Sequence, residues 1–248
     1  MAGIQKNIYV YDDFSSNEPL FMGTLYVSVI KGGESYSFEY DNEWLKKTGL
    51  MLTLDPGLLP YSGRQYPSGK NIFGVFADAS PDRWGRVLMN KRERILAEKE
   101  GRKPSKLHDS DYLLGVYDET RMGGIRFKLD PAGPFLSDDQ ETAAPPWAIL
   151  RTLEEASRNF ESDETGLSEK WLNQLIKPGS SLGGARPKAT VVDTKDQLWI
   201  AKFPSRNDEN DTGAWEMVAH DLAALCGLNV PEAKLEKFSS LGSTFLVK

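Results

Sequence analysis

The run Ser180-Ser-Leu-Gly-Gly-Ala-Arg-Pro-Lys188 joins small residues to a lysine, and ten residues later the apolar run Leu198-Trp-Ile-Ala-Lys-Phe203 carries a second lysine. Backbone N–H groups approach an anion closely only where side chains are small, and a nearby ammonium adds positive charge. The two runs therefore predict a turn between strands that cradles phosphates, with Lys202 as the phosphate clamp.

A helical pattern follows these two runs. It begins at Asp211-Thr212, ends near Gly227 and Pro231, and carries an apolar stripe of Trp215, Val218, Leu222 and Leu225. Glu216 lies off that stripe. Protein kinases hold ATP with a glycine-rich loop and a strand lysine, which a helix glutamate fixes by an ion pair. The order loop, Lys202, Glu216 fits that arrangement. Taken singly, the parts fit a plain hairpin turn, a lysine at a sheet edge and a solvated glutamate.

The same residues resemble a known family. The run from Ser181 to Lys188, the run from Leu198 to Phe203, and Glu216 with His220-Asp-Leu-Ala-Ala-Leu-Cys-Gly-Leu-Asn-Val-Pro-Glu-Ala233 look like HipA, the serine/threonine kinase toxin of bacterial toxin–antitoxin pairs. Two upstream segments are similar as well: Phe76-Ala-Asp-Ala-Ser-Pro-Asp-Arg83 and Asp111-Tyr-Leu-Leu-Gly-Val-Tyr-Asp-Glu-Thr-Arg-Met-Gly-Gly-Ile-Arg-Phe127. The resemblance covers most of the chain.

The resemblance implies a set of functional residues and partners. ATP with Mg would be the cofactor of the full-length family, and weak or absent binding is expected of this chain. The binding residues would be Ser181, Gly183, Gly184, Ala185, Lys188, Lys202 and Glu216. Ser181 matches the family's autophosphorylation site, with Ser180 as the neighbouring alternative. The expected partners are a HipB-like antitoxin, DNA only indirectly through that antitoxin, and an aminoacyl-tRNA synthetase as protein substrate.

The resemblance also shows what the 248 residues lack. Family members continue into a helical lobe that carries the catalytic loop and the metal-binding aspartate, so we expect no catalytic residue and no metal ligand in this chain. It is interpreted as the N-terminal part of a HipA-like toxin, inactive by itself in phosphotransfer. The alternative is a non-catalytic binding module that associates with an antitoxin or a partner kinase.

The predicted fold class is α+β. A small β-rich N-terminal subdomain of the HipA type spans residues 1–130, a proline- and acid-rich linker spans 131–146, and a kinase-like nucleotide-binding lobe spans 147–248. Helices are predicted over 147–160 and 168–177. Strands are predicted near 189–193, 197–203, 233–238 and 244–248, in a lobe of five strands with one strand unassigned.

Composition excludes several classes of protein. The net charge of −6 argues against indiscriminate binding to a phosphate backbone, and no apolar run is long enough to span a membrane. The single cysteine, Cys226, is expected to be a buried structural thiol, because it follows the apolar pattern of the last helix. A reducing cytoplasm is the expected location.

Three further features have open interpretations. Ser80-Pro81 predicts a helix start. The helix and loop that follow carry nine basic residues against three acids, a pattern typical of a solvated face or, alternatively, of a docking surface for an acidic or nucleic-acid-bearing partner; the basic residues are Arg83, Arg86, Lys91, Arg92, Arg94, Lys99, Arg102, Lys103 and Lys106. His108 is interpreted as a loop or capping residue, and His220-Asp221 as helix surface rather than a catalytic loop.

Overall fold

The computed structural model describes residues 5–30, 32–48, 53–118, 120–136, 144–162, 169–179 and 182–248. The chain forms two compact units. The first comprises Met1–Pro81 and Lys106–Asp138, and the second comprises Asp82–Ser105 and Asp139–Lys248. Each unit combines an antiparallel sheet with helices, which confirms the predicted α+β class.

In chain order the elements are β1 (Gln5–Asp12), β2 (Leu20–Ile30), β3 (Gly33–Tyr40), α1 (Asn42–Thr48), β4 (Arg64–Gln65), α2 (Gly74–Asp78), α3 (Arg83–Lys99), α4 (Asp109–Leu114), β5 (Ile125–Lys128), α5 (Leu150–Ser162, preceded by a 3-10 turn at Trp147–Ile149), α6 (Glu169–Gly179), β6 (Lys188–Val192), β7 (Leu198–Lys202), α7 (Thr212–Leu225), β8 (Ala233–Glu236) and β9 (Thr244–Val247).

The first unit is built on a five-stranded sheet with the order β4-β3-β2-β1-β5. Strands β2 and β3 pair up to Ile30 and Gly33, and Gly32 has a φ of +78°, which glycine adopts without strain. Alternating residues of β1, β2 and β3 form the buried face and pack against Phe73 and Phe76 around α2. The predicted β-rich subdomain is therefore present. Helix α1 is capped by Asp41, whose carboxylate accepts the helix amides of Glu43 and Trp44, each at 3.0 Å.

The second unit is built on a four-stranded antiparallel sheet with the order β6-β7-β9-β8. One face of this sheet, with Val191, Trp199 and Leu246, packs against Leu150 and Leu153 of α5. The described residues place four strands in this sheet where the sequence predicts five. The four assigned strands lie in the four predicted segments, where short apolar runs favour strands.

Helix α3 belongs to the second unit, whereas the predicted boundaries place it in the N-terminal subdomain. Its Trp84 and Leu88 join a cluster with Phe160 of α5 and Leu172 and Leu175 of α6. Apolar burial is the reason for this grouping. The predicted start of α3 at Ser80-Pro81 is wrong by two residues. The helix begins at Arg83 after the N-cap residue Asp82, and the Ser80 hydroxyl donates backwards to the Phe76 carbonyl, at 2.9 Å.

Helix α7 exposes the apolar stripe that the sequence pattern would normally bury. The exposed fractions are 64% for Trp215, 45% for Val218, 56% for Leu222 and 84% for Leu225. The helix packs instead through its opposite side, where Gly213 approaches the Ser243 carbonyl so closely that a Cβ would overlap that oxygen. The prediction of a buried Cys226 is wrong for the same reason. Cys226 is the exposed C-cap residue of this helix.

Within the described ranges, no helix is both long and apolar enough to cross a membrane.

Candidate functional site

The candidate phosphate loop connects α6 to β6, and the structure describes it from Leu182 onward. Leu182 is buried and anchors the loop, whereas Gly183, Gly184 and Ala185 are exposed. Gly184 has a φ of +86°, and a Cβ there would lie 2.5 Å from the Lys188 Nζ atom. The positive φ favours glycine at this position, and a larger residue would also have to displace the end of the flexible Lys188 side chain.

Ser180 and Ser181 lie outside the described residues. The predicted role of Ser181 in the loop and the two candidate autophosphorylation sites therefore stay predictions.

Two lysines lie side by side on the strands that follow the loop. Lys188 and Lys202 are directly paired Cα partners in β6 and β7, so their side chains leave the same face of the sheet. The ammonium of the buried Lys188 donates a hydrogen bond to the Gly183 carbonyl. Burial lowers the pKa of Lys188, and neighbouring Lys202 lowers it further, against opposing contributions from Glu216 and Asp82. The pair concentrates positive charge directly behind the loop.

Lys202 forms an ion pair with Glu216 of α7. The Nζ and Oε2 atoms are 2.5 Å apart, and both side chains are about 30% exposed, at 31% and 28%. Helix α7 is itself fixed by Asp211. Its carboxylate accepts the Ala214 amide at 3.1 Å and also the Ser243 amide and hydroxyl at 2.9 and 2.8 Å. The cap that starts the helix therefore ties it to the strand region and sets the position of Glu216.

Three residues outside the loop hold it and were not predicted from the sequence: Asp82, Trp84 and Asp208. The Asp82 carboxylate accepts the Gly184 amide at 2.6 Å, and the Trp84 amide donates to the Gly184 carbonyl at 3.1 Å. Arg186 forms a two-point ion pair with Asp208, with both N–O distances at 2.5 Å. Asp82 lies in the segment from Phe76 to Arg83, which the sequence marks only by its resemblance to the HipA family. No local pattern connects it to a glycine 102 residues away.

Metal-binding geometry is absent from the described part of the chain, where no group of three or more His, Cys, Asp or Glu side chains could hold an ion. The two histidines do not contribute to the site either. His108 precedes α4, where its amide donates to Asp111 at 2.9 Å. His220 lies on α7 with its ring nitrogens 3.1 Å from the Asp221 carboxylate and 2.7 Å from the Pro231 carbonyl.

An antiparallel sheet with a lysine that is paired to a helix glutamate, beside a glycine loop, is the arrangement that protein kinases use to hold nucleotide phosphates. Two family models match this chain: the HipA N-terminal domain over residues 21–104 and the HipA-like C-terminal domain over residues 180–248. Together they match more than half of the chain and include both the loop and the Lys202–Glu216 pair. The chain therefore belongs to the HipA-like family.

The chain is also similar to a solved HipA chain, described as part of the Shewanella oneidensis MR-1 toxin–antitoxin system of HipA, HipB and its operator DNA. The sequence identity is 17% and the TM-score is 0.49. The match covers 97% of this chain and 50% of that one, so the chain spans half the length of that HipA. No curated protein matches the chain.

Proposed function

We propose that this chain is the nucleotide-binding part of a HipA-like serine/threonine protein kinase that uses Mg-ATP. The observation that carries this proposal is the Lys202–Glu216 ion pair at 2.5 Å, one strand away from the glycine loop. A lysine held in this way by a helix glutamate presents its remaining N–H donors to phosphate oxygens. A fully exposed surface lysine would have no such fixed direction, and an ion pair at the surface would contribute little to stability.

The residues present fit the phosphates of ATP. Gly183 and Gly184 keep the loop backbone free of side chains, and Lys188 and Lys202 supply two ammonium groups on the same sheet face. Bound ATP would supply the transferable phosphoryl group. The fit does not extend to magnesium, because the described residues contain no set of acidic ligands for it. No step proposed for this chain therefore depends on the metal.

The first prediction tests the phosphate clamp. Calorimetry with Mg-ATP should give measurable but weak binding to the wild-type chain, and Lys202→Ala should weaken it roughly tenfold or more. A hydrogen bond to a charged group typically contributes about 1.5–3 kcal/mol, and about 1.4 kcal/mol corresponds to a factor of ten. Lys195→Ala is the matched control, since Lys195 is an exposed lysine in the turn at the far end of the same β6–β7 hairpin. Equal heats for wild type and Lys202→Ala would refute the assignment.

The proposal includes the partners expected of the family. A HipB-like antitoxin would be the protein partner, as HipB is for the solved HipA chain, and an aminoacyl-tRNA synthetase would be the phosphorylated substrate in the cytoplasm. DNA would be reached through the antitoxin, because the chain carries a net charge of −6 and a phosphate backbone selects a basic surface.

A second candidate function is a non-catalytic binding module. The exposed stripe on α7 favours it, because contiguous exposed apolar side chains mark interaction surfaces in soluble proteins. The calorimetric experiment separates the two candidates when a HipB-like antitoxin is titrated as a second ligand. If the chain binds the antitoxin and its ATP binding does not depend on Lys202, the result supports the binding module and contradicts the kinase hypothesis.

A further inference from the structure

Asp82 is placed at the N-terminus of α3 but does not use its side chain to cap that helix. An aspartate at the N-cap position usually accepts an amide of its own first turn. Here no such bond forms, and the carboxylate Oδ2 atom accepts the Gly184 amide at 2.6 Å instead. A negative side chain therefore occupies a backbone donor of the candidate phosphate loop.

The polar atoms of this loop are bound by groups from both sides. The Gly184 carbonyl accepts the Trp84 amide, and the Gly183 carbonyl accepts the Lys188 ammonium. Gly183 also lies close to Asp82, since a Cβ at Gly183 would be 3.1 Å from the Asp82 carboxylate. The start of α3 thus holds the loop through Gly184, and Lys188 holds it through Gly183.

The charge of Asp82 matters for any anion that approaches the loop. The Lys188 ammonium interacts with the Lys202 ammonium, the carboxylates of Glu216 and Asp82, and the Arg186 guanidinium. Lys202 is paired with Glu216 and Arg186 with Asp208, so the charge of Asp82 offsets that of Lys188. A phosphate that approaches Gly184 must displace the Asp82 carboxylate or bind beside it, and like charges at such distances repel.

We propose that Asp82 is an anionic positioning residue of the loop: it keeps the loop in place without a ligand by occupying the Gly184 amide, and it opposes the binding of polyphosphate there. The ligand class is a polyphosphate anion, either free or as the phosphate tail of a nucleotide. Its identification with ATP rests on the proposed function. The exposed carboxylate has the freedom to move aside when the ligand enters.

The test compares two substitutions that separate charge from hydrogen bonding. Asp82→Asn keeps an acceptor oxygen for the Gly184 amide and remains a good N-cap residue, but it removes the charge. Asp82→Ala removes both. Tripolyphosphate and Mg-ATP serve as probes in calorimetry, at low and at high salt, and hydrogen exchange at the Gly184 amide reports the contact itself. Glu98→Gln is the control, because it removes one exposed acid from the same helix about 24 Å away.

We expect Asp82→Asn to bind tripolyphosphate roughly three- to tenfold more tightly than wild type at low salt, with a smaller gain at high salt. The Gly184 amide should stay protected in Asp82→Asn and lose protection in Asp82→Ala. Glu98→Gln should match wild type.

Each of the other outcomes is decisive. If Asp82→Asn binds anions as wild type does while Asp82→Ala binds them less well, Asp82 only anchors the loop and the proposal fails. It also fails if no variant binds tripolyphosphate. If Asp82→Asn gains affinity but ATP binds no better than tripolyphosphate, the inference stands and the nucleotide function fails. If ATP binding depends on Lys202 but not on the charge at Asp82, the nucleotide function stands and the inference about Asp82 fails.

Discussion

At the scale of single residues, Asp12 shows how the N-terminal sheet satisfies a buried charge. The residue is completely buried and accepts hydrogen bonds from the Phe14 amide at 3.1 Å, the Ser15 amide at 2.9 Å and the Trp44 indole at 2.6 Å. Burial alone would raise the pKa of Asp12. Its hydrogen bonds from Ser15, Trp44 and Phe14 outweigh that effect and hold the pKa below the ordinary value.

Asp12→Asn should therefore destabilise the chain. In either orientation of the amide, its NH₂ would face a group that can only donate, either the Trp44 indole or the Phe14 and Ser15 amides, which costs about 1–3 kcal/mol at pH 7. A carboxylate with a lowered pKa in the folded state stabilises fully above its unfolded value of about 3.9, and this stabilisation is lost as the pH falls through the folded pKa. The difference between wild type and variant in urea denaturation should shrink on acidification below about pH 4.

The neighbouring exposed residue provides the control for this experiment. Asp13→Asn should change the free energy of unfolding by less than about 0.5 kcal/mol at either pH. A loss in Asp12→Asn that is equally large at pH 7 and at acid pH would mean that side-chain packing, not the charge, is responsible.

Residue-level prediction from the sequence succeeded where partners are near in the chain. Lys202 and Glu216 are 14 residues apart on successive elements, so residue type and order were enough to pair them. Asp82 and Gly184 are 102 residues apart, and their contact depends on how α3 packs. The prediction that Cys226 is buried was wrong for another reason. An apolar helical pattern shows which face of a helix is apolar, but it does not show whether another part of the chain covers that face.

At the scale of elements, α7 has a packed side and an exposed apolar side, and mutations should distinguish them. Leu225 is 84% exposed, so Leu225→Lys should change the free energy of unfolding by less than about 0.5 kcal/mol. Leu246 of β9 is completely buried against α5, and Leu246→Ala should cost about 2–5 kcal/mol because it leaves a cavity.

Urea denaturation of the two variants checks this contrast. A destabilisation of more than about 1 kcal/mol in Leu225→Lys, reproduced at several protein concentrations, would show that the stripe is packed within the chain. A loss that appears only at high concentration would instead indicate self-association through it.

The elements themselves followed largely from local pattern. Short apolar runs predict the four strands of the second sheet and helical periodicity predicts α5 and α6, and the structure places all six elements within a few residues of the predicted ranges. Strand β4 has only two residues, Arg64–Gln65, too few to show any alternation. The caps were less predictable. Helix α3 has Asp82 as its N-cap residue, whereas Ser80, two residues earlier, is an equally common type of cap residue.

At the scale of the whole molecule, the division into units could not be read from the sequence. The proline- and acid-rich stretch at 131–146 suggested a single boundary, whereas the chain crosses between the units near Pro81, Ser105 and Asp138. Helix α3 joins the second unit because Trp84 and Leu88 bury themselves with α5 and α6. Such a return depends on apolar contacts between distant segments, which composition along the chain does not reveal.

The 248-residue chain by itself should transfer no phosphate. Phosphoryl transfer needs an aspartate that orients the acceptor hydroxyl and an aspartate–asparagine pair that holds the metal, converging on the γ-phosphate.

The aspartates around the Lys202 strand and the Glu216 helix have structural partners: Asp193 accepts the Trp199 indole, Asp208 pairs with Arg186, Asp211 caps α7 and Asp221 contacts His220. No aspartate occurs from Leu222 to Lys248. Among the described residues we therefore expect no metal-based stabilisation of the transferring group, whatever the ATP affinity. After incubation with labelled Mg-ATP, both the chain and an acceptor protein should remain unlabelled, whereas an active kinase should label the same acceptor. Labelling that disappears in Lys202→Ala would prove this expectation wrong.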